Sequence, residues 1–151
     1  MVDVGEKAVT RREAIATGRI RMSPPTARAI GSGTVAKGDV LAVARVAGIQ
    51  AAKETSRTIP LCHPLALDAI VVDLVVGEDA VTATVTARTS GKTGVEMEAL
   101  VATSAALLTI YDMCKGIDRA MEIEAIRLEE KRGGKSGEWR RDAEAPDSDP
   151  R

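Results

Sequence analysis

Hydrophobic and polar residues alternate in the middle of the chain, and this pattern predicts two antiparallel strands. The alternation covers Ile70–Val76 and is strictest over Val81–Ala87, where every second residue is threonine. Gly77-Glu78-Asp79 lies between the two segments and predicts a turn. A period of two residues places alternate side chains on opposite faces of a strand. The segment is therefore predicted as a β-hairpin with one buried face and one more polar face.

Three elements are predicted before the hairpin. A strand covers residues 9–22, and Pro25 is well placed to open a short helix through Ile30. Asp39 can cap a helix that continues to about Ser56, since apolar residues recur there at helical spacing. Its β-branched residues leave a strand near Val40–Val46 as an alternative.

After the hairpin, a long helix and a final strand are predicted. The helix covers Val95–Lys115, and Gly116 stands where a C-terminal cap is expected. The strand covers Met121–Glu130, and its hydrophobic phase slips near Ala125, which indicates a β-bulge. The order β-α-α-β-β-α-β predicts an α+β, ferredoxin-like sandwich whose antiparallel sheet carries its helices on one face.

The length of 151 residues suits one compact domain. We assign this domain to residues 1–139. The segment 140–151 is rich in acidic residues and proline, so it is predicted to be a disordered tail.

Composition argues against nucleic acids as partners. Aromatic residues make up only 1% of the chain, so it offers almost no stacking platforms for nucleic-acid bases. The formal net charge of −1 gives no global attraction to a polyphosphate backbone. Neither DNA nor RNA is therefore predicted as a partner.

Cysteine content and hydropathy predict a soluble, cytoplasmic protein without a membrane segment. Two cysteines are too few for a disulfide framework, and the N-terminus does not resemble a signal peptide. The longest uncharged run, Ala99–Tyr111, is shorter than the roughly 20 residues that span a bilayer. One histidine and two distant cysteines also fall short of the usual four ligands of a structural zinc site. We predict no bound metal and no cofactor.

The only histidine, His63, lies between Pro60 and Pro64. The prolines exclude a helix there, so a constrained loop presents the imidazole as a ligand contact or proton carrier. A turn histidine that is hydrogen-bonded to the backbone remains the alternative. A nucleophilic pair with Cys62 is not favoured, because neighbouring side chains in an extended turn point apart.

The long helix carries ionisable residues at both ends of an apolar segment. Asp112 and Lys115 are three residues apart and share one face, either as a solvated ion pair or as an acid–base pair. The second role requires that desolvation offset their pairing. Glu98 lies about 21 Å from Asp112 along the helix axis, at 1.5 Å per residue. A site that uses both residues must therefore be assembled from two subunits.

Two glycine-rich segments, Gly91–Gly94 and Gly133–Gly137, each contain a lysine. Neither has the earlier glycine that a P-loop requires. The first leads into a helix N-terminus, which favours an anion. An ordinary linker remains the alternative for both segments.

Several longer runs occur in a fixed order from Met1 to about Trp139. They are Met1-Val2-Asp3-Val4, Lys37-Gly38-Asp39-Val40, Ala47-Gly48-Ile49-Gln50-Ala51-Ala52-Lys53, Ile59-Pro60-Leu61-Cys62-His63-Pro64-Leu65, Gly91-Lys92-Thr93-Gly94-Val95-Glu96-Met97-Glu98-Ala99-Leu100, Leu108-Thr109-Ile110-Tyr111-Asp112-Met113-Cys114-Lys115 and Gly133-Gly134-Lys135-Ser136-Gly137. Together they resemble the MoaC family of molybdenum-cofactor biosynthesis. The departures from that family are confined to the tail, the Pro24–Thr34 connection and the hairpin turn.

The resemblance implies a lyase that converts 3′,8-cyclo-7,8-dihydro-GTP, a small molecule derived from GTP, into cyclic pyranopterin monophosphate and pyrophosphate. It implies a ferredoxin-like fold and a hexamer, a trimer of dimers with sites at the dimer interface. Asp112 and Lys115 match the catalytic pair of the family. The positions that match substrate-binding or other functional residues are Leu61, Cys62, His63, Met97, Glu98, Glu96, Lys37 and Lys131.

Opening a guanine-derived ring and closing a cyclic phosphate both require proton transfers. Such transfers call for titratable groups with pKa values near neutrality rather than for a redox cofactor. A ferredoxin-like module that binds a nucleotide without converting it remains the alternative function. An RNA-binding module is disfavoured by the lack of aromatic residues.

Overall fold

The computed structural model describes residues 1–141 and contains five strands and four helices. The elements in chain order are β1 (Thr10–Arg21), α1 (Pro24–Gly31), α2 (Val40–Lys53), α3 (Thr55–Thr58), β2 (Ala69–Val76), β3 (Ala80–Gly91), α4 (Glu96–Cys114), β4 (Glu122–Arg132) and β5 (Trp139–Arg140).

The strands form one antiparallel sheet in the order β2-β3-β1-β4-β5. The two long helices, α2 and α4, pack against each other, and both contact the sheet. This arrangement confirms the predicted α+β, ferredoxin-like fold. It also places the start and the end of α4 at opposite ends of the helical layer.

The core is built from aliphatic side chains and alanine, as the composition predicts. Ala14, Ala16 and Ile20 of β1 are fully buried on the face that carries the helices, and Leu107 of α4 is fully buried as well. Gly18 lies on the same face of β1, and a Cβ atom there would lie 2.8 Å from Leu107 Cδ1. The absent side chain therefore allows α4 to approach the sheet closely.

The pairing of β1 with β4 is irregular at two places, between Ile15 and Ala16 and between Thr17 and Arg19. The second irregularity confirms the bulge predicted near Ala125, which has a φ of 47°. The first leaves Glu129 as the extra residue of β4.

Helix α2 begins as predicted, because the Ala42 backbone N–H donates to Asp39 Oδ1 at 2.9 Å. The strand alternative near Val40–Val46 is therefore wrong. The helix ends at Lys53, earlier than predicted, and Thr55–Thr58 form a separate short helix, α3.

The end of α4 also differs from the prediction. Lys115 is the cap residue, its backbone N–H donates to Tyr111 O at 2.8 Å, and Gly116 is not in the left-handed region. The following backbone N–H groups of Ile117 and Asp118 both donate to Cys114 O. These bonds turn the chain without a left-handed glycine.

Arg140 was predicted to begin the tail, but it belongs to β5 and pairs with Glu130 of β4. Residues 142–151, which make up the rest of the predicted tail, lie outside the described residues. Within residues 1–141, α4 alone has the length and hydropathy of a membrane span, by composition only. Half of it is buried inside the fold, as expected for a core helix.

Candidate active site

A cleft of about 370 Å³ opens at the start of α4 and brings together most of the sequence-predicted site residues. The turn that contains His63 forms one wall, and its backbone is tied by a bond from Cys62 N to Ile59 O at 3.1 Å. The first turn of α4 forms the opposite wall. The predicted residues that line this cleft are Leu61, Cys62, His63, Glu96, Met97 and Glu98.

Glu98 is the buried carboxylate of this cleft, since only 4% of the residue is exposed. Burial raises the pKa of Glu98, and the neighbouring charge of Glu96 raises it further, while the Glu98 backbone N–H opposes the shift. Burial also raises the pKa of the Cys62 thiol, with a second contribution from Glu98. Cys62 is therefore a neutral thiol at neutral pH and not an activated nucleophile.

His63 lines the same cleft and is half-buried. Within residues 1–141, its ring forms no hydrogen bond or ion pair with the protein. The alternative of a turn histidine bonded to the backbone is therefore wrong. The imidazole remains available to a ligand.

A second cleft of about 820 Å³ adjoins the first, and five of the residues that line it are cationic. The two clefts share Lys7, Thr93, Gly94 and Glu96, so a ligand can extend from one into the other. Two carboxylates, Glu6 and Glu96, line the second cleft beside its cations. The cations are Lys7, Arg12, Lys92, Lys131 and Lys135.

Lys131 is one of the sequence-predicted residues of the cationic cleft. Its Nζ lies 3.3 Å from Glu96 Oε1 and 2.9 Å from Ser136 Oγ. Ser136 belongs to the second glycine-rich segment, which the structure therefore places against the cleft. The first glycine-rich segment contributes Lys92 at the start of α4. Both segments line a cleft, which favours the anion-binding interpretation over that of a plain linker.

Sequence reasoning missed two cations of this cleft, Lys7 and Arg12. Lys7 was missed because the first eight residues show no periodicity, yet Lys92 Nζ donates to Gly5 O at 2.5 Å and holds them against the cleft. Arg12 donates through Nε to Gly91 O at 3.0 Å. A signal for Arg12 did exist, because it shares the phase of the buried positions of β1, where an arginine is unusual.

The remaining predicted residues form a separate cluster at the end of α4. Asp112 lies between two lysines: Lys115 Nζ is 2.7 Å from its Oδ1, and Lys37 Nζ is 3.1 Å from its Oδ2. Lys37 Nζ also donates to the backbone O of Asp112 at 2.8 Å. This second bond satisfies a carbonyl at the helix C-terminus, where a cation is favourable.

Pairing dominates the electrostatics of this cluster. The hydrogen bond from Lys115, followed by that from Lys37, lowers the pKa of Asp112, and Asp112 in turn raises the pKa of Lys115. In the single chain, desolvation therefore does not offset the pairing, which the acid–base role requires. The physical reason is exposure, since the Asp112 side chain is 57% exposed and its lysine partners are similarly open.

One chain does not unite the two halves of the predicted site. Helix α4 is continuous from Glu96 to Cys114, so Glu98 and Asp112 remain about 21 Å apart along its axis. Glu96, Met97 and Glu98 face the clefts at one end, while Lys37, Asp112 and Lys115 lie at the other.

The described part of the chain contains no group of three or more histidine, cysteine or acidic side chains arranged to hold a metal. The expectation that the protein carries no metal and no cofactor stays a prediction.

Comparison with known proteins shows the family of the chain. A family model described as the MoaC family matches residues 1–134. A curated relative from Novosphingobium aromaticivorans, named Cyclic pyranopterin monophosphate synthase, is 64% identical over 140 residues, covering 93% of this chain and 89% of the relative. With both the family model and this relative matched over nearly its whole length, the chain belongs to the MoaC family.

Proposed function

We propose that this protein is an enzyme of molybdenum-cofactor biosynthesis that converts 3′,8-cyclo-7,8-dihydro-GTP into cyclic pyranopterin monophosphate and pyrophosphate. The observation that carries this proposal is the pair of adjoining clefts at the start of α4, one with a buried carboxylate and one lined by cations. The name of the curated relative supports the same activity. The reaction eliminates pyrophosphate, so we assign the enzyme to the phosphorus–oxygen lyases.

The cationic cleft suits the triphosphate of such a substrate. Charge-assisted hydrogen bonds from lysine and arginine are the strong contacts that phosphate oxygens form in proteins. Lys7, Arg12 and Lys131 surround this cleft together with Lys92 and Lys135. The positive end of α4, which begins at Glu96, adds to the attraction.

The adjoining cleft suits the pterin-forming end of the substrate. His63 offers a free imidazole, and Glu98 offers a buried carboxylate whose raised pKa favours the protonated form. An imidazole and a carboxyl group can exchange protons with the substrate while its guanine-derived ring opens and the cyclic phosphate forms. Leu61, Cys62 and Met97 provide apolar contact around them.

We propose that Asp112, Lys115 and Lys37 enter this cleft from a second copy of the chain. Glu98, Val101, Ala105, Leu108 and Asp112 recur at the spacing of one helix face, and Leu108 is 59% exposed on it. Antiparallel packing of two copies of α4 about Ala105, the midpoint of Glu98 and Asp112, brings the end of one helix to the start of the other. Exposed Val43 and Val46 on α2 add apolar surface to the helical layer.

This contact generates two equal sites in each dimer. We propose a hexamer of three such dimers, located in the cytoplasm. In such a dimer, contact with the partner also buries Asp112 and Lys115, which are exposed in the single chain. Desolvation then opposes the effect of their pairing on both pKa values.

The test is incubation of the purified protein with 3′,8-cyclo-7,8-dihydro-GTP, with detection of the pterin product and of pyrophosphate. Lys115→Ala and Asp112→Ala should retain the oligomer but lower turnover by about 10²–10⁴-fold, as expected for loss of an acid–base group. Asp73→Ala is the matched control, because Asp73 is an exposed aspartate on β2, an edge strand of the sheet.

Substrate binding without pyrophosphate release would support the alternative, a nucleotide-binding module that does not convert its ligand. Turnover near that of the wild type in both α4 variants would contradict the assignment of the catalytic pair.

A further inference from the structure

Asp118 lies just beyond the end of α4 and bonds to the start of α1. Its Oδ2 accepts from the Ser23 backbone N–H at 2.8 Å and from Thr26 Oγ1 at 3.2 Å. Its Oδ1 accepts from the Ala120 backbone N–H at 3.2 Å. Thr26 is buried, so the contact is partly shielded from water.

These bonds give α1 an N-terminal anchor that its own sequence lacks. Ser23 is the N-cap residue of α1, but its side chain makes no capping hydrogen bond to the helix backbone. A carboxylate from another segment instead accepts from the backbone N–H of Ser23. A negative charge at this end of a helix is also favourable.

The segment from Ser23 to Lys37 is held at both of its ends by the same region of the chain. Asp118 holds its beginning, and the contacts of Lys37 with Asp112 hold its end. The segment between is tied internally, since Thr34 N donates to Ala29 O at 3.0 Å and Val35 is buried in the core. Hydrogen bonds and core contacts therefore run along the segment from one anchor to the other.

We propose that Asp118 is a positioning residue that fixes Lys37 against Asp112 and so sets the geometry of the Lys37–Asp112–Lys115 cluster. The expected effect of Asp118 on catalysis rests on the proposed function of that cluster. The effect of Asp118 on the position of Lys37 is independent of the proposed function.

The charge of Asp118 is present at neutral pH. The hydrogen bond from the Ser23 backbone, the largest cause, lowers the pKa of Asp118. The ionisable group beside it is Cys114, whose pKa is raised first by burial and then by Asp118. Asp118→Asn is therefore a nearly isosteric change that removes the charge and weakens the anchor.

The first test follows Lys37 directly. Lysines are labelled by reductive methylation with ¹³C-formaldehyde, and the Lys37 signal is assigned by its loss in Lys37→Arg. In Asp118→Asn, this signal should move towards that of an exposed, unpaired lysine. Asp68→Asn, which alters an exposed carboxylate bonded to Ser90 on the sheet, is the control and should leave it unchanged.

Thr26→Val is the second variant, because it removes one bond to Asp118 and keeps the charge. It should move the Lys37 signal by less than Asp118→Asn does. An unchanged Lys37 signal in both folded variants would overturn the proposal. This result does not depend on turnover, so it separates failure of the inference from failure of the proposed function.

The second test is a double-mutant cycle on kcat. Asp118→Asn should lower kcat by up to about 100-fold, as a small misplacement of catalytic groups can, and should change KM much less. In the Lys37→Met background, the same substitution should have little further effect on kcat. An equal loss of kcat in both backgrounds would show that Asp118 does not act through Lys37.

Discussion

Glu98 and Asp112 show how position along one helix sets opposite conditions for two carboxylates. Glu98 faces the interior near the start of α4, and burial raises its pKa. Asp112 projects into solvent near the end of the helix, and two lysines lower its pKa. In the folded chain, an ionised Glu98 is therefore destabilising, whereas an ionised Asp112 is stabilising.

We expect Glu98→Gln to stabilise the fold above the ordinary pKa of a glutamate. The folded-state pKa of Glu98 is raised, so the native protein binds the proton more tightly, and its stability falls as pH rises from the unfolded pKa to the folded pKa. The glutamine variant lacks this loss. Thermal unfolding should show a variant Tm that exceeds the wild-type Tm at pH 8 and approaches it near pH 4. Each kcal/mol of difference in the free energy of unfolding shifts the Tm by about 2–4 °C.

Glu96→Gln is the matched control for this prediction. Glu96 is more exposed than Glu98 and forms an ion pair with Lys131, so its neutralisation should not raise the Tm. A Glu98→Gln variant whose Tm difference from the wild type is the same at both pH values would contradict the argument.

Local surroundings in the sequence single out some of the predicted site residues, whereas Lys37 and Lys131 were predicted only from the resemblance to the MoaC family. His63 between two prolines and the acidic start of an apolar helix could be recognised without a structure. Lys7 could not, because nothing in its neighbours indicates that Lys92 holds that segment in place. The pKa directions of Asp112 and Lys115 were also out of reach, since the i,i+3 spacing allows both a solvated ion pair and a desolvated acid–base pair, and the exposure that distinguishes them is seen only in the structure.

At the scale of elements, the distance between α4 and the sheet is set by small residues. A Cβ atom on Gly18 would lie 2.8 Å from Leu107 Cδ1 and 2.9 Å from Thr103 Cγ2. Both neighbours are fully buried side chains of α4, so neither can move aside without disturbing the core. A side chain at this position must therefore shift the helix.

We expect Gly18→Ala to destabilise the protein, because the added methyl group overpacks the core. Overpacking of this kind costs about 1–3 kcal/mol. Chemical denaturation should show a lower midpoint for the variant. Gly31→Ala is the control, because the nearest atom to its Cβ is Val76 Cγ1 at 3.9 Å and its φ is not positive. Equal stability of the two variants would contradict the close approach of α4.

Long, periodic elements and the short helix α1, which a proline opens, were predicted well, whereas β5 and the separate helix α3 were not. The alternation of the hairpin and the apolar length of α4 leave few alternatives, and the bulge at Ala125 was visible as a slip in hydrophobic phase. The two residues of β5 carry no periodicity and are strand only because they pair with Glu130 and Lys131. The break between α2 and α3 likewise has no clear signal, since both segments suit a helix.

At the scale of the whole molecule, α4 separates the halves of the proposed site by about 21 Å. The separation follows from a continuous helix, so it cannot be closed by local movement of one chain. A site that uses both halves therefore requires a second copy of the chain.

We expect two inactive variants to restore activity to each other. Glu98→Gln and Asp112→Ala, each nearly inactive alone, are mixed under conditions that allow subunits to exchange. Some mixed dimers then contain one site with both residues intact and one site lacking both. Activity should return to roughly half of the wild-type value per mixed dimer if the two sites act independently.

Exchange is verified by mass spectrometry of differently labelled subunits. Confirmed exchange with no recovery of activity would contradict a site shared between copies, because a site within one chain keeps its defect in every mixture.

The placement of Trp139 has an optical consequence. It is the only tryptophan of the chain, it stands opposite Lys131 in β5, and its ring lies 5.7 Å from the Arg141 guanidinium carbon. Trp139 thus pairs with a residue that lines the cationic cleft, and it remains partly accessible to solvent. Intrinsic fluorescence therefore reports on the pairing of β5 with β4 without a label, and its quenching can be followed while an anion is added.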